Sequence, residues 1–270
     1  MKLTHLSIAC SAPADSPDYL PEVNADAMAM YNEYLRRRHI PDVLTGEVLA
    51  LSTVMTRMED VRVIARKNSK RILLHLTGHG GLSILNGKKE WFFYLGTPTK
   101  EAVLWWPVIL AWMQACAADG IQVAIVIDSC HAGKAGRKAG SAQDGIGRIK
   151  SVHVFNDQSD IPCDLSDDPR LPKGCLFIGA CKGRQYAYGA LNSVYTIPKG
   201  NGLTDTEGMS LFTHAFCGTM MRGVAAPQKV VNQAQATTRH LILGRAPGLY
   251  TPADVPDMVI RSRGWTGEII

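Results

Sequence analysis

Two short segments hold the residue types that covalent catalysis needs. Thr77-Gly78-His79-Gly80-Gly81 carries a histidine among glycines, and Asp128-Ser129-Cys130-His131-Ala132-Gly133 carries a thiol. A cysteine becomes a useful nucleophile when a neighbour lowers its pKa or takes its proton. An imidazole suits that task because it titrates near neutrality. Singly, each residue has a plainer reading: an inert buried thiol for Cys130 and a turn histidine for His79. Cys130 follows His79 by 51 positions, and each comes just after a strongly apolar run. Together they read as nucleophile, Cys130, and general base, His79. The backbone N–H groups of Gly80 and Cys130 are the expected oxyanion hole, since small neighbours let amides approach a carbonyl oxygen.

Strands must bring these two segments together. Arg71–Leu76 is a β-type run that stops at the His79 turn. Ile121–Ile127 is nearly all apolar and β-branched, as a strand buried on both faces should be. Leu3–Cys10, Val43–Leu49 and Gly174–Ala180 are further strand candidates, and Trp91–Leu95 after Asn86-Gly87 reads as a hairpin arm. Helical periodicity covers 25–38, with Met28, Tyr31 and Leu35 on one face, then 52–67, 101–118, 210–221 and 228–243. This alternation predicts an α/β fold with a largely parallel sheet. In such sheets the active site lies outside the carboxyl ends of the strands, where both turns fall. His75 alternates with core positions and reads as packed; His131, beside the thiol, reads as structural.

The catalytic domain is expected over 1–243, with 244–270 as a C-terminal extension packed on it. Within it, 133–173 is a long glycine-rich, charged loop. Its first half holds Lys134, Arg137, Lys138, Arg148 and Lys150, and exposed loops of this kind are readily nicked. Its second half holds Asp157, Asp160, Asp164, Asp167 and Asp168. Carboxylates are ligands for calcium, but the spacing matches no EF-hand loop, and no metal site is assigned.

Composition narrows the class. Apolar residues make up 46% of the 270, enough for a substantial core. The net charge of +5 is a mild excess, not the concentrated basic face of a nucleic-acid binder. The seven cysteines are odd in number and contain no C-x-x-C pair, which argues against a disulfide framework or zinc ribbon and for a reducing, cytoplasmic setting. No stretch reaches the roughly 18 apolar residues of a membrane span, and the N-terminal residues do not read as a secretory leader. No organic cofactor is implied.

Thr77-Gly78-His79-Gly80 resembles the Ser/Thr-Gly-His-Gly motif of metacaspases and their prokaryotic relatives, the orthocaspases. Asp128-Ser129-Cys130-His131-Ala132-Gly133 resembles their Asp-x-Cys-His-Ser/Ala-Gly motif. The order and spacing are similar too, over roughly 3–243. The resemblance implies a caspase–haemoglobinase-like three-layer sandwich, with a mostly parallel six-stranded sheet flanked by helices. It implies a cysteine endopeptidase with a Cys130–His79 dyad acting on protein or peptide substrates. It also implies that Asp128 helps bind an Arg or Lys before the scissile bond, and a carboxylate there would repel Asp. Where relatives carry an acidic pair after the later strand, this chain reads Cys181-Lys182-Gly183-Arg184-Gln185, so the second pocket acid is missing at its expected place; Asp205 or Glu207 is a candidate to replace it. Maturation by cleavage near Arg137, Lys138, Arg148 or Lys150 follows from the same likeness. So do a monomeric state, control by an upstream protease or regulatory protein, and a setting in prokaryotic defence or regulated cell death. Some relatives need calcium. The rival readings are a catalytically silent caspase-like scaffold, a protease with another specificity, and a redox-sensing thiol protein.

Overall fold

The computed structural model describes residues 2–16, 19–96, 103–129, 165–182, 185, 187–189, 197–198, 204–205, 208–245 and 251–269. The apolar runs form β1 (Thr4–Cys10), β2 (Ile40–Gly46), β3 (Arg71–Gly78), β7 (Gln122–Asp128), β8 (Leu176–Gly179) and β11 (Val259–Ser262). They make one six-stranded sheet in the order β11-β8-β7-β3-β1-β2. All neighbours are parallel except the edge pair β11–β8. A smaller antiparallel sheet, β4 (Gly80–Leu85), β5 (Lys88–Tyr94) and β6 (Val103–Trp105), grows directly from the end of β3. Asn86 and Gly87 both have positive φ, the conformation a tight two-residue hairpin turn requires. Residues Ile197–Pro198 (β9) and Thr204–Asp205 (β10) pair as a two-stranded ribbon.

The side-chain alternation of the strands divides the sheet into two unlike faces. Leu6, Ile8, Ile72, Leu74, Leu76, Val123, Ile125, Ile127 and Phe177 point to a mostly apolar layer, at whose end the buried Thr4 and Ser69 hydroxyls pair at 2.9 Å. There they meet α2 (Leu51–Asn68), through Val54, Met58, Val61 and Ala65, and α3 (Trp106–Ala118), through Ile109, Trp112 and Met113. The opposite face packs on α1 (Glu22–Arg36), α4 (Leu211–Met221) and α5 (Pro227–Arg245). It is apolar at Leu73, Ala124, Val126, Leu176 and Ile178, but it also carries His5, Ser7, His75, Thr77 and Asp128, all fully buried. Three layers and a mostly parallel six-stranded sheet result, as the family resemblance implies.

Three local features depart from the sequence reading. The helix expected over 101–118 begins only at Trp106. Pro107, which lacks an N–H, is accommodated in the first helical turn, while Val103–Trp105 pairs antiparallel with β5 as β6 instead. In α1 the buried stripe is Val23, Ala27, Met30 and Tyr34, whereas Met28 and Leu35 are exposed. Small Ala27 lets that stripe lie close to the sheet, and the Tyr34 hydroxyl donates to the Ile269 carbonyl at 2.5 Å. Finally, the aperiodic tail supplies β11, whose pairing covers the edge of β8.

Candidate active site

The site is built at the carboxyl edge of the sheet, beginning with how β3 ends. Gly78 has φ +146°, and a Cβ there would stand 2.7 Å from the Cys10 carbonyl oxygen and against the Phe93 ring. Only glycine fits this turn. It redirects the chain from β3 into β4, leaving His79 at the corner. His79 is 2% exposed. Its carbonyl accepts from the Tyr94 N–H at 3.0 Å, and its ring meets the Tyr94 ring edge-on, 6.2 Å between centroids. Gly80 opens β4. At Gly81 a Cβ would come within 2.7 Å of the Phe92 ring, so this turn is packed against β5 by its lack of side chains.

β7 ends beside it. Thr77 and Asp128 are register partners on adjacent parallel strands, so the chain leaves both strands at the same level. Asp128 is fully buried. Its Oδ2 accepts from the Thr213 hydroxyl at 2.7 Å and, in a short contact, from the Ser210 hydroxyl. The Ser210 backbone N–H in turn donates to Asp26 Oδ1 at 2.8 Å, and the Thr77 hydroxyl donates to Asp26 Oδ2 at 2.8 Å. Two buried carboxylates, from α1 and β7, thus share one serine at the start of α4. Hydrogen bonds to an ionised acceptor are roughly twice as strong as neutral ones. The Asp26–Thr77 bond ties α1 to β3; the connections leaving β1 and its neighbour β3 run to opposite faces of the sheet, and open parallel sheets bind ligands at such switch points.

The sequence does not single out Asp26, Ser210 or Thr213 as site residues. Asp26 lies on the face opposite the exposed Met28 and Leu35, between buried Ala25 and Ala27. An acid flanked by alanines at core positions was the signal available. Asp205 is described only as backbone in β10. Cys130, Arg137, Lys138, Arg148 and Lys150 lie outside the described residues, as do Asp157, Asp160 and Asp164, the neighbouring His131, and Gly183, Arg184 and Glu207. Of the acidic run, Asp168 is held by structure. It accepts from Trp106 Nε1 at 2.8 Å and from Arg170, whose guanidinium also grips Glu90 at 2.8 and 2.9 Å. Burial pushes the Asp168 carboxyl up, but these hydrogen bonds outweigh it and hold it below its ordinary value. Among the described residues no cluster of His, Cys, Asp and Glu could hold a metal ion, and no helix is long and apolar enough to cross a membrane.

Most of the described thiols are held in their protonated form. Burial pushes Cys10 and Cys175 up to about 11 and Cys116 up to about 12. Cys217 is raised by burial and then by the charges of Asp26, Glu33 and Asp128. A thiol so displaced holds little thiolate at neutral pH. Cys181 is also buried, its Sγ 3.3 Å from the Gln185 carbonyl and 3.7 Å from that of Ser129.

No protein-family profile and no curated protein sequence matches the chain. Solved structures do. The chain is similar to pro-sf-caspase-1 with a TM-score of 0.62 and 11% identity, over 98% of this chain and 89% of that one. It is similar to caspase-1 from Spodoptera frugiperda with a TM-score of 0.60 and 10% identity, covering 98% and 88%. The Drosophila initiator caspase Dronc gives 0.57 and 9%, covering 98% and 81%. At such identities the likeness establishes the architecture: this chain has a caspase-like fold.

Proposed function

We propose that the protein is a cysteine endopeptidase that cuts after Arg or Lys, with Cys130 as nucleophile and His79 as general base. The observation that carries the reading is the shared level at which β3 and β7 end. Thr77 pairs with Asp128, and His79 and Cys130 each follow two residues later in the chain. His79 removes the Cys130 thiol proton as sulfur attacks the scissile carbonyl carbon. The tetrahedral oxyanion lies against the N–H groups of Gly80 and Cys130. Collapse breaks the C–N bond, His79 protonates the leaving amine, and water, deprotonated by His79, hydrolyses the thioester to regenerate the thiol. Asp128 attracts the cationic side chain before the scissile bond. Asp26, bridged to Asp128 through Ser210, supplies the second carboxylate that Gly183 and Arg184 do not.

An arginyl acyloxymethyl-ketone probe followed by peptide mapping tests the dyad. Label on Cys130 that is lost in His79→Ala is expected; its absence from wild type favours a scaffold. Digesting a peptide library with wild type and Asp128→Ala tests the pocket: a preference for Asp before the cut would refute it. The loop is read as a self-processing site near Arg137, Lys138, Arg148 or Lys150. If wild type and Cys130→Ala both stay intact where a peptide substrate is cut, self-processing is wrong.

A further inference from the structure

The mixed face of the sheet holds a feature that the dyad does not use. The His5, Ser7, His75, Thr213 and Asp128 side chains form one continuous buried row, each with 0% exposure. Ser7 Oγ lies 3.0 Å from His5 Nε2 and 3.0 Å from His75 Nδ1. On the other side of the ring, His75 Nε2 lies 3.5 Å from Thr213 Oγ1, a long hydrogen bond. Thr213 Oγ1 then donates to Asp128 Oδ2 at 2.7 Å. The row runs from the beginning of β1 to the end of β7 and ends on the carboxylate read above as the pocket acid.

Donor counting gives the row a direction. A threonine hydroxyl has one proton, and here Asp128 takes it. The Thr213 oxygen is then left to accept from His75, and a neutral His75 is accordingly the Nε2–H tautomer with an acceptor at Nδ1. Ser7 then donates its single proton to His75 Nδ1 and accepts from His5, which is again the Nε2–H tautomer. The lone pair left over is His5 Nδ1, which has no hydrogen-bond partner among the described residues. Burial, reinforced by His75 and His39, holds the His5 imidazole well below its ordinary pKa, in keeping with a neutral ring. Aligned donors of this kind polarise one another, and every one of them points toward Asp128.

We propose that His75 is a positioning residue: acting through Thr213, the row of donors from His5 fixes the Asp128 carboxylate and so sets the affinity for a cationic side chain before the scissile bond. The proposal rests on the reading of Asp128 as the pocket acid. His75 touches no substrate and takes no part in proton transfer to the leaving group. Its effect therefore falls on KM for Arg and Lys substrates and not on kcat.

Two measurements on the full chain decide it. The first is steady-state hydrolysis of peptides with Arg, Lys or an uncharged residue before the cut, by wild type, Asp128→Asn, Thr213→Val, Thr213→Ser, His75→Phe and His75→Gln. Thr213→Val is nearly isosteric but removes the donor, and should raise KM for Arg and Lys peptides about tenfold, the loss of one hydrogen bond to a charged group. His75→Phe should raise it about threefold, since the effect passes through one intervening bond. Thr213→Ser and His75→Gln restore a donor and should return KM toward wild type, and the loss in every variant should be larger for Arg and Lys peptides than for the uncharged one. If Asp128→Asn abolishes the basic preference while Thr213→Val and His75→Phe leave KM unchanged, the row is only structural and the proposal is overturned, although the pocket reading stands. If Asp128→Asn keeps the preference, the pocket reading falls and the proposal with it. The second measurement needs no activity: long-range nitrogen–proton NMR on histidine-labelled wild type. It should find His5 and His75 both as neutral Nε2–H tautomers. An Nδ1–H tautomer or an imidazolium at either position would break the direction of the row and overturn the proposal.

Discussion

Acidification should weaken the fold through the buried imidazole of His5. His5 is fully buried, stacked on Tyr34 with 4.5 Å between ring centroids and an interplanar angle of 15°. Burial first, and then the neighbouring His75 and His39, keep its pKa well below the ordinary 6.5. Above about pH 6.5 neither the native nor the unfolded chain protonates this residue, and it contributes no pH dependence. Below that point the unfolded chain takes up a proton that the native chain refuses, so the unfolded state gains and stability falls. The loss grows by about 1.4 kcal/mol per pH unit until the buried ring itself protonates. Near pH 5, a unit and a half below the ordinary value, it amounts to about 2 kcal/mol. His5→Phe keeps the ring stack and removes the titration. Urea melts of both proteins near pH 7 and pH 5 isolate the contribution of His5, because carboxylates titrate in both. Wild type should lose about 2 kcal/mol more than His5→Phe between the two conditions. Equal losses would refute the reasoning, for they would mean that His5 protonates in place or is open to solvent.

Three further outcomes follow from the packing. Gly78→Ala puts a methyl 2.7 Å from a backbone oxygen at φ +146°; it should cost about 1–3 kcal/mol in a urea melt and reduce peptide hydrolysis by displacing His79, and unchanged stability would argue against the turn described. Iodoacetamide at neutral pH should leave Cys10, Cys116, Cys175 and Cys217 unmodified in the native protein, since burial holds all four protonated; peptide mapping that finds native-state label on them contradicts that burial. Glu90→Gln removes one side of the Arg170 fork that ties the segment around Asp168 to β5 and α3. Because Arg170 is partly exposed and can be resolvated, the cost should be only about 1–2 kcal/mol, with earlier proteolysis around 165–171 as the sharper readout.

Much of the architecture was legible in the sequence because it is local or periodic. Ile121–Ile127 could be read as a two-face-buried strand from its composition, and β7 covers nearly those residues. Thr77-Gly78-His79-Gly80 could be read as a strand-end turn because glycines in succession admit little else. Asn86-Gly87 announced a hairpin by the φ values it permits. The helix at 101–118 was overextended because three-residue β6 is too short to carry a period of its own. β11 was missed for a related reason: its four residues are strand only because β8 offers an unpaired edge.

The candidate site divides along the same line. Sequence by itself determined the chemistry on offer, a histidine and a thiol after two buried strands, with Asp128 two residues before the thiol, because residue type and spacing are properties of the chain. Tertiary structure alone decided what surrounds that acid. Asp26 lies in the middle of a helix, Ser210 and Thr213 lie at the start of another, and His5 and His75 sit in strands among core residues. Apart from the neighbouring His5 and Ser7, none of these positions marks itself as polar machinery, since hydrogen bonds across 51 to 184 positions of chain leave no local pattern. They meet because helices close over both faces of the sheet, and these polar side chains all fall on the face that α1 and α4 cover. Buried polar groups must then find one another, and the His79 turn stands at the edge of the network they make.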